Sequence, residues 1–295
     1  MELKKYEAFL RISENGNISR TADEMGYTQS AVTQMIRSLE QELGVVLLIR
    51  SNKGVRLTEA GRILLPIVRD ELRCERRLRE EAGRMNGIDS GIVNVGCLSS
   101  VAAAWMPKII RVYTSGHPDV QVRMMENEAP ELEEKLKSGV IDLAVMELMG
   151  KKKLPSHELI SDEVLVVAPK DHPLAQLSAV PREKLSDYPF ISYATGDTGT
   201  FEGGWPEFVT GSRIRWHVRY SCRTDMAAMQ MVRSGLGITL AGGLMLRSYR
   251  NELAHLPLDP PLLRSIGVCW RSTEDLLPAS RDFLDCIIDT VSEMV

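Results

Sequence analysis

Residues 30–38 carry side chains whose types and spacing can read the edges of DNA bases. At about 100° per residue, Ser30, Thr33, Gln34, Arg37 and Ser38 fall on one face of a helix, opposite an apolar stripe. Hydroxyls and amides match the donors and acceptors of the major groove, and arginine reaches guanine. This face has no carboxylate that phosphates would repel, whereas a face exposed only to solvent usually carries Glu and Lys. We therefore predict contact with DNA.

The flanking sequence predicts the elements that present this face. Helical patterns over residues 3–16, 18–26 and 29–44 each end at a glycine, and residues 45–58 read as two strands around a turn. Helix, turn, helix and wing is the order that places a recognition helix in the major groove. On or beside the wing, the basic side chains predicted to neutralise phosphates are Arg50, Lys53 and Arg56.

A long helix is predicted from residue 58 to about residue 85. Pro66 is expected to kink it or to mark a new first turn. Leu65, Val68 and Leu72 make an apolar seam that is too narrow to be buried alone, so we predict that it pairs with a second copy of the chain.

The sequence beyond residue 91 alternates between strand and helix, which is the pattern of a parallel α/β sheet. The predicted elements are strands 91–97, 119–127 and 140–147 and helices 100–116 and 130–139. A second sheet is expected from strands 188–194, 212–221 and 236–241. Two such lobes joined by crossing strands leave a cleft, and ligands bind outside the carboxyl ends of the strands.

Composition and charge limit the classes of protein. The chain has 295 residues, 44% hydrophobic and 26% charged, which is enough for two or three globular domains. It has no apolar run of 18 residues and no signal-peptide pattern, so we expect a cytoplasmic protein without membrane contact. The net charge is −4, but residues 1–89 hold 15 Lys and Arg against 14 Asp and Glu. DNA binding must therefore depend on a local patch.

Cysteine and histidine spacing indicates neither a metal site nor a redox motif. No cysteine lies within four residues of another, and the five histidines lack the spacing of metal ligands. The cysteines are expected to be reduced and mostly inert: Cys74, Cys97, Cys222, Cys269 and Cys286. Cys222, beside Arg223, is the best candidate for a redox sensor. We predict no metal and no cofactor.

The N-terminal residues closely resemble the LysR-type transcriptional regulators. The matching residues are Phe9, Ser19, Ala22, Gln29, Ser30, Ala31, Val32, Thr33, Ile36, Leu39, Glu40, Leu43, Gly44, Leu47, Arg50 and the run Val55 to Gly61. The second half matches the effector domain of the family more loosely, in GHPDVQV, LKSGVIDLAV and VRSGLGITL. The chain departs from the family in having Gln34 where Arg is usual and residues 241–243 (AGG) where a proline is usual.

The resemblance implies an α+β multidomain fold with three parts. These are a winged helix-turn-helix at 1–58, a linker and dimerisation helix at 59–89, and an effector-binding domain at 90–295 that is two-lobed and α/β, like periplasmic binding proteins. Lobe I would span about 90–161 and 266–295, and lobe II about 162–265.

Carried over residue by residue, the resemblance implies that Gln29, Ser30, Thr33, Gln34 and Arg37 face DNA. The implied partners are double-stranded DNA with an interrupted inverted repeat, a small-molecule effector, and further copies of the chain in a homodimer or homotetramer. RNA polymerase is an additional candidate partner.

The resemblance also implies an effector pocket at Ser99 and Ser100, where the strand at 91–97 meets the next helix. Helix N-termini favour anions, so a carboxylate is the expected ligand. A plain N-cap is an equal alternative for Ser100. The other candidate walls, which turn chemistry explains equally well, are Glu128, Thr195, Thr198 and Thr224.

An enzyme and a solute-binding protein are the alternative functions. Ser99 lies in GCLSS, which is not the G-x-S-x-G of serine hydrolases. The GLG at 235–237 precedes a strand and lacks the third glycine of a dinucleotide-binding loop. The helical pattern of the first 60 residues argues against a solute-binding protein. The sequence therefore favours a transcriptional regulator that is not an enzyme.

Overall fold

The computed structural model describes residues 2–51, 54–86, 89–148, 154–193, 217–249 and 251–294. The chain divides into two compact units. The first comprises Met1–Ser90 with Lys137–Val140, and the second comprises Gly91–Leu136 with Ile141–Val295. None of the helices in the described residues has the length and apolarity that crossing a bilayer requires.

The first unit consists of three short helices, a two-stranded wing and a long helix. These are α1 (Glu2–Asn15), α2 (Ile18–Met25), α3 (Gln29–Leu43), β1 (Leu48–Ser51), β2 (Gly54–Leu57) and α4 (Glu59–Met85). Asn17 and Thr28 cap α2 and α3 by accepting from the backbone N–H three residues later. Gly26 and Gly44 end the same helices in the left-handed conformation. These signals are local, so the sequence alone places the helices.

Apolar side chains of α1, α3 and the wing form one core. Phe9, Val32 and Leu39 have no exposed surface, and Ile36 is 2% exposed. Three of these residues lie on α3 at helical spacing, so burying them determines which face of α3 remains in solvent.

Helix α4 has two apolar faces, and the structure buries the face predicted to form a dimer seam. Val68 is 5% exposed and joins the core of the first unit, with Leu65 and Leu72 packed against it. The N-terminal core thus covers Val68 and part of Leu65 and Leu72, and the pairing of these three residues with a second copy stays a prediction. Helix α4 also continues past Pro66, so the proline does not begin a new helix.

Five residues form a second stripe on α4, which we call the exposed stripe: Ile63, Ile67, Cys74, Leu78 and Met85. At 100° per residue they fall within an arc of about 60°. The four large apolar side chains are between 61% and 86% exposed, and Cys74 is also exposed. A line of large apolar side chains in water is typical of a surface that another chain covers.

Gly61, in the first turn of α4, is expected to tolerate no side chain. A Cβ there would collide with the carbonyl oxygen of Leu47, which Thr58 holds in place by a backbone hydrogen bond of 2.9 Å. Gly61→Ala should therefore lower the stability of the first unit by about 1–3 kcal/mol through overpacking. Hydrogen exchange of the amides in residues 2–86 measures this loss.

Gly116→Ala is the matched control for Gly61→Ala, because a Cβ at Gly116 meets no atom within 4 Å. We expect no loss of amide protection in that variant. Equal protection in the Gly61→Ala and wild-type proteins would contradict the close contact with Leu47.

The second unit alternates strands and helices. Its elements are β3 (Ser90–Cys97), α5 (Ser99–Ala104), α6 (Met106–Gly116), β4 (Asp119–Glu126), α7 (Ala129–Lys137), β5 (Leu143–Glu147), β6 (Ser156–Ala168), β7 (Val180–Pro181), β8 (Phe190–Tyr193), β9 (Val218–Cys222), α8 (Asp225–Arg233), β10 (Thr239–Gly242), α9 (Gly243–Leu246), β11 (Ala254–Trp270) and α10 (Pro278–Ser292). The single helix predicted over 100–116 is two helices, α5 and α6. Pro107 lies at the start of α6 and cannot donate the hydrogen bond that would continue α5.

The main sheet of the second unit has the strand order β10-β6-β11-β5-β3-β4, with β7 paired to β11. Strands β3 and β5 are parallel, as the alternating pattern predicted. The sequence placed β10 in a second sheet, but β10 pairs with β6 in the main sheet. Within the described part of the second unit, β8 and β9 form a pair of their own outside the main sheet. Strand β10 joins the main sheet because β6 and β11 are long enough to extend one sheet through both lobes.

Strands β6 and β11 are 13 and 17 residues long and pair along most of their length. One part of the sheet continues into β5 and β3, and the other continues into β10. Separate cores form around each part. Val95, Val145 and Phe283 are buried in lobe I, and Val166 and Leu240 are buried in lobe II. The sequence predicted this crossing-strand architecture.

Candidate nucleic-acid interface and ligand cleft

The polar face of α3 is exposed. Gln29, Ser30, Gln34 and Arg37 lie in solvent, and Thr33 is partly exposed. No Asp or Glu occurs in the first ten residues of the helix. Arg37 makes no hydrogen bond or ion pair with another described residue, so its guanidinium group remains available for a partner outside the chain.

Packing and one carboxylate hold this face in position. Val32, Ile36 and Leu39 anchor the opposite side of α3 in the core. Glu40 Oε1 accepts from the backbone N–H of Leu47 at 2.8 Å and of Leu48 at 3.2 Å. The end of α3 is thereby tied to the start of the wing, which fixes α3 relative to β1.

The wing carries its two described arginines on opposite faces. Arg50 pairs with Val55 and Ile49 pairs with Arg56 in the antiparallel ladder. Because consecutive residues of a strand point to opposite sides, the side chains of Arg50 and Arg56 leave the wing on opposite faces. Both are exposed. Lys53, the third predicted phosphate contact, lies outside the described residues.

The carboxyl ends of β4, β3 and β5 lie side by side at one edge of lobe I. Ser99 follows β3, and its Oγ donates to Asp225 Oδ2 at 2.6 Å. Asp225 begins α8, so this hydrogen bond joins the start of α5 to the start of α8. Sequence reasoning did not single out Asp225, because an acid in the first turn of a helix is ordinarily a complement to the helix dipole.

Ser99 and Ser100, predicted together, have different environments. Ser100 is 6% exposed and lies inside the first turn of α5, since Leu98 occupies the N-cap position. The N-cap alternative for Ser100 is therefore wrong. Helix α5 begins one residue earlier than predicted and has only six residues. Ser99 is the partly exposed hydroxyl of the pair.

The other predicted wall residues divide into three cases. The carbonyl oxygen of Glu128 accepts the hydrogen bond from Leu132 N–H that starts α7, and the side chain is exposed. Thr224 Oγ1 caps α8 by accepting from Ala227 N–H at 3.2 Å, as expected from turn chemistry. Thr195 and Thr198 lie outside the described residues.

A buried ion pair on the crossing strands was not visible in the sequence. Arg264 of β11 donates through Nε to Asp162 Oδ2 of β6 at 2.8 Å, and Asp162 Oδ1 accepts from Leu244 N–H at 2.9 Å. A Cβ on Gly242 would collide with the Arg264 guanidinium. The AGG departure from the family pattern therefore makes room for this ion pair.

Glu147, at the end of β5, lies near the same ion pair. Its Oε1 is 3.8 Å from Arg264 Nη1. Burial raises the pKa of the Glu147 carboxyl, Arg264 acts in the opposite direction, and the charges of Glu128 and Asp162 raise it further. The Glu147 carboxyl thus interacts electrostatically with Glu128 and with Asp162 of the buried ion pair.

Cys97, Cys222 and Cys286 have environments that disfavour the reactive thiolate. Burial raises the pKa of Cys97 to about 12. Burial also raises the pKa of Cys222; the backbone of Thr224 opposes the rise and the charge of Asp225 adds to it. Arg223 does not activate Cys222, so the prediction of Cys222 as the best redox candidate is wrong in its physical basis.

Comparison with known proteins identifies both units. Residues 3–62 match the model of the bacterial regulatory helix-turn-helix protein, lysR family, and residues 86–292 match the LysR substrate binding domain. The probable HTH-type transcriptional regulator LrrA of Synechococcus elongatus is 28% identical over 100% of this chain and 99% of its own. The DNA-binding transcriptional dual regulator OxyR of Escherichia coli is 28% identical over 92% of this chain and 90% of its own.

Solved structures share the fold of the whole chain. A full-length OxyR variant from Pseudomonas aeruginosa superposes with a TM-score of 0.78 at 21% identity, covering 99% of this chain and 94% of that one. Full-length CbnR complexed with its target DNA has a TM-score of 0.67 at 17% identity, covering 98% and 100%.

The chain belongs to the LysR family of transcriptional regulators. It is a DNA-binding regulator with an N-terminal helix-turn-helix and a C-terminal effector-binding domain, and it is not an enzyme.

Proposed function

We propose that residues 1–58 form the DNA-binding domain, 59–89 the dimerisation helix and 90–295 the effector-binding domain. Lobe I would comprise about 90–161 and 266–295, and lobe II about 162–265. The long strands β6 and β11, which pass from one lobe into the other, support this division.

The residues proposed to read DNA are on α3: Gln29, Ser30, Thr33, Gln34 and Arg37. The observation that carries this assignment is an exposed face without carboxylates, fixed by a buried opposite face and by Glu40. Arg50, Lys53 and Arg56 are proposed to contact phosphates. Base edges would supply specificity and phosphates would supply most of the affinity.

A dimer is the smallest assembly that this proposal requires. Two recognition helices would read the halves of an interrupted inverted repeat, as paired helix-turn-helix proteins do. The exposed stripe of α4 supports pairing, since it places four large apolar side chains in solvent. A tetramer would be a pair of such dimers, and RNA polymerase a further partner of the DNA-bound form in the cytoplasm.

The regulator is proposed to respond to a small-molecule effector that carries a carboxylate. This effector would bind in the cleft at the strand ends of lobe I. The effector domain of BenM has been solved with its effector benzoate, and this domain shares its fold with a TM-score of 0.58 at 21% identity, covering 69% of this chain and 91% of that one. Binding between the lobes would shift the populations of lobe and dimer arrangements and so change the spacing of the two recognition helices.

Selection from a pool of random DNA duplexes by the full-length protein tests the proposal. The expected product is an enriched inverted repeat with a central spacer. Thr33→Ala should change the relative affinities among variants of this operator, whereas a change in a phosphate contact should weaken all of them equally. The absence of any enriched sequence would contradict the proposed function.

Arg56→Ala is expected to weaken binding to every duplex, because the exposed Arg56 would contact phosphate and not base edges. The slope of log K against log salt should fall by about 1 for each bound protomer. Titrations at several salt concentrations measure it. Arg281→Ala, at an exposed position of α10, is the control with the same loss of charge. An unchanged slope in Arg56→Ala would remove this residue from the phosphate contacts.

A further inference from the structure

The hydrogen bond between Ser99 and Asp225 joins two distant parts of the second unit. The two residues are 126 positions apart and belong to different lobes. At 2.6 Å, the distance from Ser99 Oγ to Asp225 Oδ2 is typical of a hydroxyl donating to an ionised carboxylate. The other carboxylate oxygen accepts from Met226 N–H at 2.9 Å, which holds the side chain in place.

The contact matters because a serine hydroxyl has a single proton to donate. The proton of Ser99 is already given to a carboxylate, and that carboxylate comes from the protein itself. An effector carboxylate could accept from the same hydroxyl only after it had displaced Asp225. Until then, the negative charge of Asp225 would repel the effector. A group already positioned by the fold competes without the loss of translational and rotational freedom that a free ligand incurs, so the competition is substantial.

We propose that Asp225 is a built-in carboxylate ligand of Ser99 that an effector carboxylate must displace. The inference rests on the proposed effector cleft and adds how that cleft is regulated. Without effector, Asp225 links α8 of lobe II to the start of α5 in lobe I. When the effector binds, its carboxylate accepts the hydrogen bond from Ser99, and the link between the lobes is broken. Asp225 thereby sets both the affinity for carboxylates and the resting arrangement of the lobes.

A second contact supports the same arrangement. Helix α9 of lobe II packs against α5, the helix that Ser99 begins. The lobes therefore meet on the side of the cleft where Asp225 holds Ser99. Release of Asp225 frees the hydroxyl at a place where the two lobes already touch, so a ligand bound there can alter how they pack.

Titration of the full-length protein with benzoate and succinate, and with their uncharged amides benzamide and succinamide, tests the proposal. Asp225→Ala should raise the affinity for at least one carboxylate about tenfold or more and leave the corresponding amide within about threefold. The gain should vanish in the Ser99→Ala/Asp225→Ala double variant, because the hydroxyl that receives the carboxylate is then absent. Asp285→Ala, on the exposed side of α10, is the control for loss of one negative charge.

Asp225→Asn serves as a second variant, since it keeps the side-chain shape and removes the charge. An intermediate gain in carboxylate affinity is expected. Equal affinities in the wild-type and Asp225→Ala proteins, an equal gain for acid and amide, or no carboxylate binding by either protein would each overturn the proposal. DNA selection with the same wild-type preparation distinguishes failure of the Asp225 proposal from failure of the proposed function. Enrichment of an operator retains the regulator and rejects only the role of Asp225, whereas no enrichment rejects the proposed function.

Discussion

Replacing Ile67 and Leu78 together by aspartate is expected to dissociate the dimer and to lower operator affinity by about 10²–10⁴-fold. Both side chains lie on the exposed stripe of α4 and are 61% and 71% exposed in the single chain. In a dimer they would be covered, and two carboxylates at the paired surface would be desolvated without partners. Loss of pairing converts the second half-site contact from an intramolecular event to a bimolecular one, which accounts for the size of the effect.

Light scattering and gel-shift titration of the same variant separate assembly from recognition. The molar mass should fall to that of one chain, while binding to a duplex with a single half-site should remain at the wild-type value. Arg79→Glu changes the net charge equally and lies about 120° away from the exposed stripe, so it should remain dimeric. The exposed Arg79 pairs with Glu75, and such surface pairs contribute little. An Ile67→Asp/Leu78→Asp protein that stays dimeric would show that α4 pairs through another face.

Arg37→Ala is expected to give the largest loss among single substitutions on α3. A bidentate contact from arginine to guanine is worth about 1–3 kcal/mol, so two half-sites give about 2–6 kcal/mol, or roughly 30-fold to 10⁴-fold in affinity. Arg37 is exposed and belongs to the same face as Ser30, Thr33 and Gln34. Its loss should also relax the base preference at one position of each half-site.

Arg37→Lys distinguishes base readout from simple charge. Lysine keeps the positive charge but lacks the planar pair of donors. If Arg37 reads a base, we expect the lysine variant to lose most of the affinity that the alanine variant loses, measured on the selected operator. Retention of wild-type affinity in Arg37→Lys would instead assign Arg37 to a phosphate.

The N-terminal unit was the part best predicted from sequence, for a physical reason. The caps at Asn17 and Thr28 and the glycine ends at Gly26 and Gly44 act within three or four residues. The apolar period of α3 then assigns its buried and exposed faces without knowledge of the rest of the chain. The polar face of α3, which the structure leaves in solvent, follows from these local rules.

In helix α4, the apolar periodicity of the sequence does not predict which face is buried. Leu65, Val68 and Leu72 form one apolar face, and Ile63, Ile67 and Leu78 form another. Both have helical spacing, so the sequence could not tell which face the N-terminal core would cover. Packing decided it by burying Val68 and leaving the second face exposed.

The sequence by itself determined the helix-turn-helix, the polar face of α3, the alternating order of the second unit and the position of Ser99. Only the tertiary structure decided which face of α4 stays exposed, that Arg264 is held by Asp162, and that Asp225 occupies the hydroxyl of Ser99. Local propensity and periodicity act over a few residues and can be read directly. Contacts between groups more than 100 positions apart depend on how β6 and β11 align and on how the two lobes meet, and no short-range pattern encodes either.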